Sequence, residues 1–358
     1  MKICILADGQ SIHTKRWCEY FSALGHEVHL VSFRPVDIPG TIVHYINAGN
    51  IDVKGGNWRI LTKIGEIKRL LKEFRPDILH ALYATSYGAV GALSGFHPFI
   101  VTPLGTDVLI SPERSLIYRL LLRYVFGCAD IITSLAPHVK AAILNYGGKP
   151  AKLREFIFGV NTEIFNSKNR NIPQGKFIIS STRNFENVYN IPLIIKAIAL
   201  IKDRIPDLEV HFSGDGSLKN ELIKMVHAHG LDEIVIFHGH IPQPAMVDLL
   251  NKSYLYISVS LSDGNAVSVL EAMACDCFLL VSDIEANRQW VKDGINGFVV
   301  PVNDEAALAA KILHVYTNYD RLIGPAIEIN KLILDEKGTL QVNMKRIENI
   351  YKELLQAE

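Results

Sequence analysis

The chain has 358 residues, 49% of them apolar and 21% charged, a balance that suits two well-cored domains and excludes a disordered protein. Thirty-seven Lys and Arg offset 37 Asp and Glu, so charge gives no reason to expect a nucleic-acid partner. The five cysteines form neither a disulfide framework nor a CxxC metal pair, no run of about 18 apolar residues occurs, and MKICILADG reads as a first strand and not as a signal peptide. The reducing cytoplasm is therefore the expected setting.

Charge is unevenly spread. Residues 1–160 hold 18 Lys and Arg against 12 Asp and Glu, and the remainder holds 19 against 25. The N-terminal half is thus suited to something anionic, or the excess is chance.

In chain order, Lys2 to Ala7 predicts a buried strand ending at Asp8-Gly9. A helix follows with Trp17, Phe21 and Leu24 on one face, Gly25 as its C-cap and Val28 to Phe33 as a second strand. This β-α-β unit has a glycine at its first turn but no full GxGxxG. Trp58 to Phe74 predicts a basic amphipathic helix, with Arg59, Lys63, Lys68, Arg69 and Lys72. Pro76-Asp77-Ile78-Leu79-His80 leads into a strand, and Phe99 to Thr102 predicts another, ending in PLGTDVL. Glu113 to Phe126 predicts a helix in which Arg114, Arg119 and Arg123 interrupt Leu, Tyr, Phe and Val, and Ala129 to Ser134 predicts the next strand.

Asn166 to Gly175 has the composition of a linker. The α/β alternation restarts at Lys176 to Ile179, which predicts a second doubly wound domain. Its first loop is SSTRNFENVYN; Leu208 to Ser213 predicts a strand, with the tight turn Gly214-Asp215-Gly216 after it. Tyr254 to Val259 predicts a buried strand, Asp263-Gly264-Asn265 a turn, and Ala266 to Ala274 a helix with Val267, Leu270, Met273 and Ala274 on its apolar face. Strand, glycine loop and helix N-terminus together make an arrangement whose backbone N–H groups attract phosphate. Glu271 on this helix needs a polar partner, and a sugar or ribose hydroxyl would serve. Read as structure alone, Asp263 is an N-cap and Glu271 a satisfied acid. Leu340 to Leu355 predicts a final amphipathic helix.

The segments SDGNAVSVLEAMA and SDIEANRQWVKDGINGFVVP resemble the donor-site signature of the retaining glycosyltransferases with the GT-B fold, group 1 and family 4-like. That family carries two glutamates with seven residues between them; Glu271 is the second, and Asp263 stands for the first. GHEV at Gly25, PDILH at Pro76, GVNTEIF at Gly159 and GDG at Gly214 fall in the family's order. The resemblance implies two Rossmann-like α/β domains facing across a cleft: residues 1–165 on the acceptor side, 166–340 binding the donor, and a helix at 341–358 crossing back. It implies a nucleotide-diphosphate sugar as donor substrate, no cofactor, and a glycan, lipid-linked or small-molecule acceptor.

On this reading Glu271 binds ribose hydroxyls and Asp263 faces the sugar. Gly264, Asn265 and Ala266 offer backbone N–H groups, Arg183 offsets the diphosphate charge, and His240 lies beside the nucleobase. Gly9, His13, Lys15, Arg16, His80 and Asp107 would line the acceptor side; for His80 the alternative is a satisfied histidine at a strand end. The pattern also departs from the family's. Leu104 replaces a histidine, and Tyr189 falls where a second diphosphate cation is usual. No Asp-x-Asp pair occurs, so no metal is implied. A sugar-nucleotide epimerase or hydrolase, or a non-catalytic relative, would share this architecture. Many relatives work on lipid-linked acceptors, so the two basic helices would suit contact with an anionic inner membrane face, or serve as ordinary solvated outer helices.

Overall fold

The computed structural model describes residues 1–49 and 58–356. The chain divides into two compact units, one formed by Met1–Ile157 with the residues from Asn343 onward, the other by Phe158–Val342.

The first unit is built on seven strands: β1 (Lys2–Leu6), β2 (Glu27–Ser32), β3 (Thr41–Tyr45), β4 (Ile78–Leu82), β5 (Phe99–Thr102), β6 (Ile131–Ser134) and β7 (Leu153–Glu155). Their order is β3-β2-β1-β4-β5-β6-β7, and every pairing is parallel. The second unit carries β8 (Phe177–Ser181), β9 (Leu208–Ser213), β10 (Val235–Gly239), β11 (Leu255–Ser258), β12 (Phe278–Ser282) and β13 (Phe298–Val300). Here the order is β10-β9-β8-β11-β12-β13, again parallel throughout. Helices cover both faces of such sheets, which is why the central strands read as unbroken apolar runs. All five residues of β4 and all four of β11 are buried.

Strand order reverses between β1 and β4 in one sheet and between β8 and β11 in the other. Loops leaving the carboxyl ends of strands at such a reversal diverge and leave a crevice, the usual ligand site of an open α/β sheet. The Gly9 loop follows β1; the Arg183 and Asp263 loops follow β8 and β11.

The final helix, Leu340–Gln356, packs its Tyr351 against the first sheet. The Tyr351 hydroxyl meets His80 Nδ1 at 2.7 Å and accepts from Trp17 Nε1 at 3.1 Å, while His80 Nε2 meets Thr102 Oγ1 at 2.7 Å. Both His80 nitrogens are spent inside the core, and the residue has no exposed surface. His80 is thus a satisfied core histidine and presents nothing to an acceptor.

Burial pushes the His80 pKa down to about 3, so the folded state keeps it neutral where the unfolded chain would protonate. The contribution is fully present above the unfolded pKa and is lost as pH falls from there toward the folded value. Stability should drop by about 1.4 kcal/mol per pH unit for this one proton as pH falls below about 6.5. Urea melts of wild type and His80→Asn across this range test the point. The variant starts less stable, and its slope is shallower by one proton. Equal slopes would mean that His80 titrates normally.

The sequence predicts one helix over Glu113–Phe126; the structure has two, Ser111–Arg114 and Leu116–Cys128. Ser115 is extended and its side chain accepts from the Ile117 N–H, so a local N-cap ends one helix and starts the next. The basic segment from Trp58 begins as a 3-10 turn, Trp58–Lys63, and becomes α-helical over Ile64–Phe74.

Candidate active site

The second unit's candidate site forms where β8 and β11 end. β8 delivers Thr182 and Arg183, and β11 delivers the loop that reaches the helix Val267–Ala274. Arg183 Nη2 pairs with Asp263 Oδ2 at 2.5 Å, and its Nη1 donates to Ser268 Oγ at 2.9 Å. The guanidinium lies over the Tyr189 ring, 4.1 Å from its centroid. Only 10% of the Arg183 side chain is exposed, and its buried Nε has no hydrogen-bond partner among the described residues. Burial alone would weaken this cation, but Asp263, Tyr189 and Tyr256 together hold its pKa above the ordinary arginine value. The result is a fixed, permanently charged fork with one donor to spare.

Below the fork lies a chain of hydroxyls. Tyr256, fully buried on β11, shares a hydrogen bond of 3.0 Å with Thr182 Oγ1. Burial raises its phenol pKa despite the nearby Arg183, so it stays neutral and bridges the two strand ends. Thr182, Tyr256 and Ser268 carry no motif of their own in the sequence. The only local signal was the run of hydroxyl residues at these strand ends.

The Asp263 loop is stiff. Asp263 Oδ1 accepts from the Asn265 N–H at 3.1 Å, so the aspartate closes its own turn. It is not the N-cap; that position belongs to Ala266, without a side-chain cap. Asn265 Nδ2 donates to the Phe158 carbonyl at 2.8 Å, and its Oδ1 accepts from Trp290 Nε1 at 3.1 Å. Both ends of that side chain and its N–H are therefore occupied within the protein. Gly264 and Ala266 keep backbone N–H groups with no hydrogen bond in the described fold.

The helix Val267–Ala274 is buried almost all round, including Ser268, Val269, Leu270, Ala272, Met273 and Ala274. Val267 and Glu271, one turn apart, are only half-buried. Val267 thus leaves the apolar face that the periodicity gave it and shares the open face with Glu271.

Two glycines press the Gly214-Asp215-Gly216 turn onto the Arg183 loop. A Cβ on Gly214, whose φ is +157°, would fall 2.6 Å from the Arg183 carbonyl oxygen. One on Gly216 would fall 2.5 Å from that of Phe185. Glycine is required here by backbone contact. His240 is exposed just beyond β10, and its charge is among the influences that keep the Asp215 carboxyl below the usual range, after the Lys219 hydrogen bond.

In the first unit, Gly9 is buried and its N–H donates to Ser32 Oγ at 3.0 Å. His13, Lys15 and Arg16 are half-buried on the first turns of the helix Ile12–Ala23. Asp8 pairs with Arg34 at 3.0 Å beside the same loop, a pair the sequence did not announce. Asp107 is fully buried, its oxygens accepting from the N–H groups of Ala84, Leu104 and Gly105. Burial raises its pKa to about 6 against the pull of those donors. Asp107 ties a loop together and, like His80, is too buried to touch an acceptor.

Residues 162–323 match the model of the glycosyl transferases group 1, and residues 2–135 match that of the glycosyl transferase 4-like domain. The chain belongs to the group 1 glycosyltransferases. The protein EpsD of Bacillus subtilis (strain 168) is 23% identical over 325 residues, 83% of this chain and 82% of that one. Among solved structures, the sucrose-phosphate synthase of Thermosynechococcus elongatus superposes with a TM-score of 0.87 at 16% identity, covering all of both chains. The Anabaena protein HepE, solved in complex with UDP-glucose, gives 0.79 at 16% identity over 98% of this chain and all of that one. At such identities the likeness establishes the GT-B fold, two Rossmann-like domains. In this glycosyltransferase the Arg183 fork stands at the strand-order reversal of the second one.

Proposed function

We propose that this glycosyltransferase transfers a sugar from a nucleotide-diphosphate sugar to an acceptor hydroxyl with retention at the anomeric carbon, and without a metal ion. The acceptor would be a glycan, a lipid-linked sugar or a small molecule. The observation that carries the reading is the buried Arg183 fork, fixed by Asp263 and Ser268 beside a helix N-terminus, with its Nε unsatisfied. In the transfer, the bond from the anomeric carbon to the diphosphate oxygen breaks and its electron pair leaves with the diphosphate. The acceptor oxygen bonds to the same face of that carbon, and its proton passes to the leaving phosphate. Negative charge grows on the diphosphate as this happens, and a preorganised guanidinium aimed there lowers the barrier.

The N–H groups of Gly264 and Ala266, at the start of the helix, supply further donors. Asp263 acts first by holding Arg183, because both of its oxygens are engaged. Glu271, on the open face of its helix, takes the ribose hydroxyls, and His240 with Asp215 lies toward the base. The Gly9 loop with His13, Lys15 and Arg16 serves the acceptor. Tyr189, where the resemblance puts a second cation, gives the guanidinium an aromatic seat and adds no charge of its own.

UDP-glucose is the first donor to try, since HepE is solved with it. A thermal-shift panel of nucleotide-diphosphate sugars should show one clear stabiliser. With that donor, turnover should require an acceptor, and NMR of the first product should show the donor's anomeric configuration. Donor consumption without acceptor would point to an epimerase or hydrolase; an inverted product would end the retaining reading. Activity should also persist in excess EDTA. Complete loss restored by magnesium or manganese would overturn the metal-free part.

A further inference from the structure

The helix Leu116–Cys128 is apolar on two faces. Leu122, Val125 and Phe126 point into the first unit's core and have no exposed surface. Leu116, Ile117, Leu120 and Tyr124 are 66%, 61%, 56% and 45% exposed. At 3.6 residues per turn these four cover one continuous arc of roughly 100° on the outer side of the helix. Single exposed apolar residues are ordinary, but a contiguous patch of this kind marks a contact surface. The other basic helix shows the contrast. Ile64–Phe74 buries Ile67 and Leu71 and exposes Lys68, Arg69, Lys72 and Glu73, so it is a solvated outer helix.

What covers the patch is indicated by charge. Arg119 and Arg123 flank the arc on one side, both exposed, and neither pairs with a carboxylate among the described residues. The helix itself, LIYRLLLRYVFGC, contains no acid. A second copy docking face to face would set these arginines against their own symmetry mates. A surface that is apolar inside and anionic at its boundary satisfies both features at once. The helix has 13 residues, about 20 Å, so it can lie in a bilayer interface but not cross the bilayer. Consistent with that, no helix among the described residues is long and apolar enough to span.

We infer that the outer face of Leu116–Cys128 docks this protein on an anionic lipid surface, the apolar arc entering the headgroup boundary and Arg119 and Arg123 meeting lipid phosphates. The inference stands apart from the donor chemistry, and its test reads binding alone. The full chain is floated with vesicles of phosphatidylcholine, with and without a third of phosphatidylglycerol, at low and high salt. It should rise with the anionic vesicles at low salt, stay down with phosphatidylcholine alone, and be released by high salt. The triple variant Leu116→Ser, Ile117→Ser, Leu120→Ser should stay down in every condition. Arg119→Gln with Arg123→Gln should bind roughly thirtyfold more weakly, at about fivefold per arginine, with a shallower salt dependence. All these positions are exposed, and matching thermal melts confirm that the variants fold. Absence of flotation at low salt, or undiminished flotation of either variant, overturns the inference. So does a lipid-free dimer in sedimentation that the triple serine variant abolishes, which would give the face to a second copy.

Discussion

Arg183→Ala should lower kcat by about two to three orders of magnitude while the fold survives. Removing one preorganised donor to developing negative charge has a cost of that size. Arg183→Lys should recover little, because a point charge on a flexible stem cannot reach Asp263, Ser268 and a phosphate together as the planar fork can. The alanine variant also leaves Asp263 without its cation, only 15% exposed. Some of any loss could therefore be structural. Pairing it with Asp263→Asn separates the two effects. If the pair restores the melting temperature but not kcat, the arginine acts on the reaction; if it restores both, Arg183 is only a strut. Tyr189→Leu removes the aromatic seat 4.1 Å under the guanidinium and should lower kcat less, by a factor of about 2–30, the range of a cation–π contact. Wild-type kcat in Arg183→Ala would remove the central claim about this site.

The fold was legible where burial dictates the pattern. Central parallel strands are buried on both faces, so β1, β4, β8 and β11 announce themselves as apolar runs. β3 and β7 lie at the edges of the first sheet, where half the residues face water and the run dissolves. The helix Glu305–Ile333 runs through a Gly324-Pro325 pair, a combination that ordinarily marks a stop, and Ala326 and Asn330 are buried just beyond it.

The site divides in the same way. Arg183 and Asp263 lie on the loops after β8 and β11, and Glu271 on the helix that follows, where spacing from the strand ends put them. Their partners could not be placed in that way. Ser268 is 85 residues from Arg183 in sequence and Tyr256 is 74 from Thr182, and they meet only because the strand order puts β8 beside β11. His80 and Asp107 erred the other way. Polar residues near strand ends look like cleft residues, but in this chain both satisfy buried hydrogen bonds.

Glu271→Gln should weaken binding of the donor's nucleoside diphosphate by about 10- to 150-fold, the worth of a hydrogen bond to a charged acceptor at about 1.5–3 kcal/mol. The helix that carries it is packed on nearly every side, and only the Val267–Glu271 face is open. The substitution keeps the volume and one acceptor oxygen, so the packing should not change. Loss of affinity alone would not identify the hydroxyls as the partner. The decisive measurement is a cycle in calorimetry: wild type and Glu271→Gln, each with the preferred nucleoside diphosphate and with its 2′-deoxy and 3′-deoxy forms. If the carboxylate holds the ribose, at least one deoxy form binds wild type poorly, and that penalty shrinks toward nothing in the variant, because the contact is already lost. A deoxy penalty of equal size in both proteins would separate Glu271 from the ribose. It would return the residue to the structural role that its half-buried place on the helix also permits.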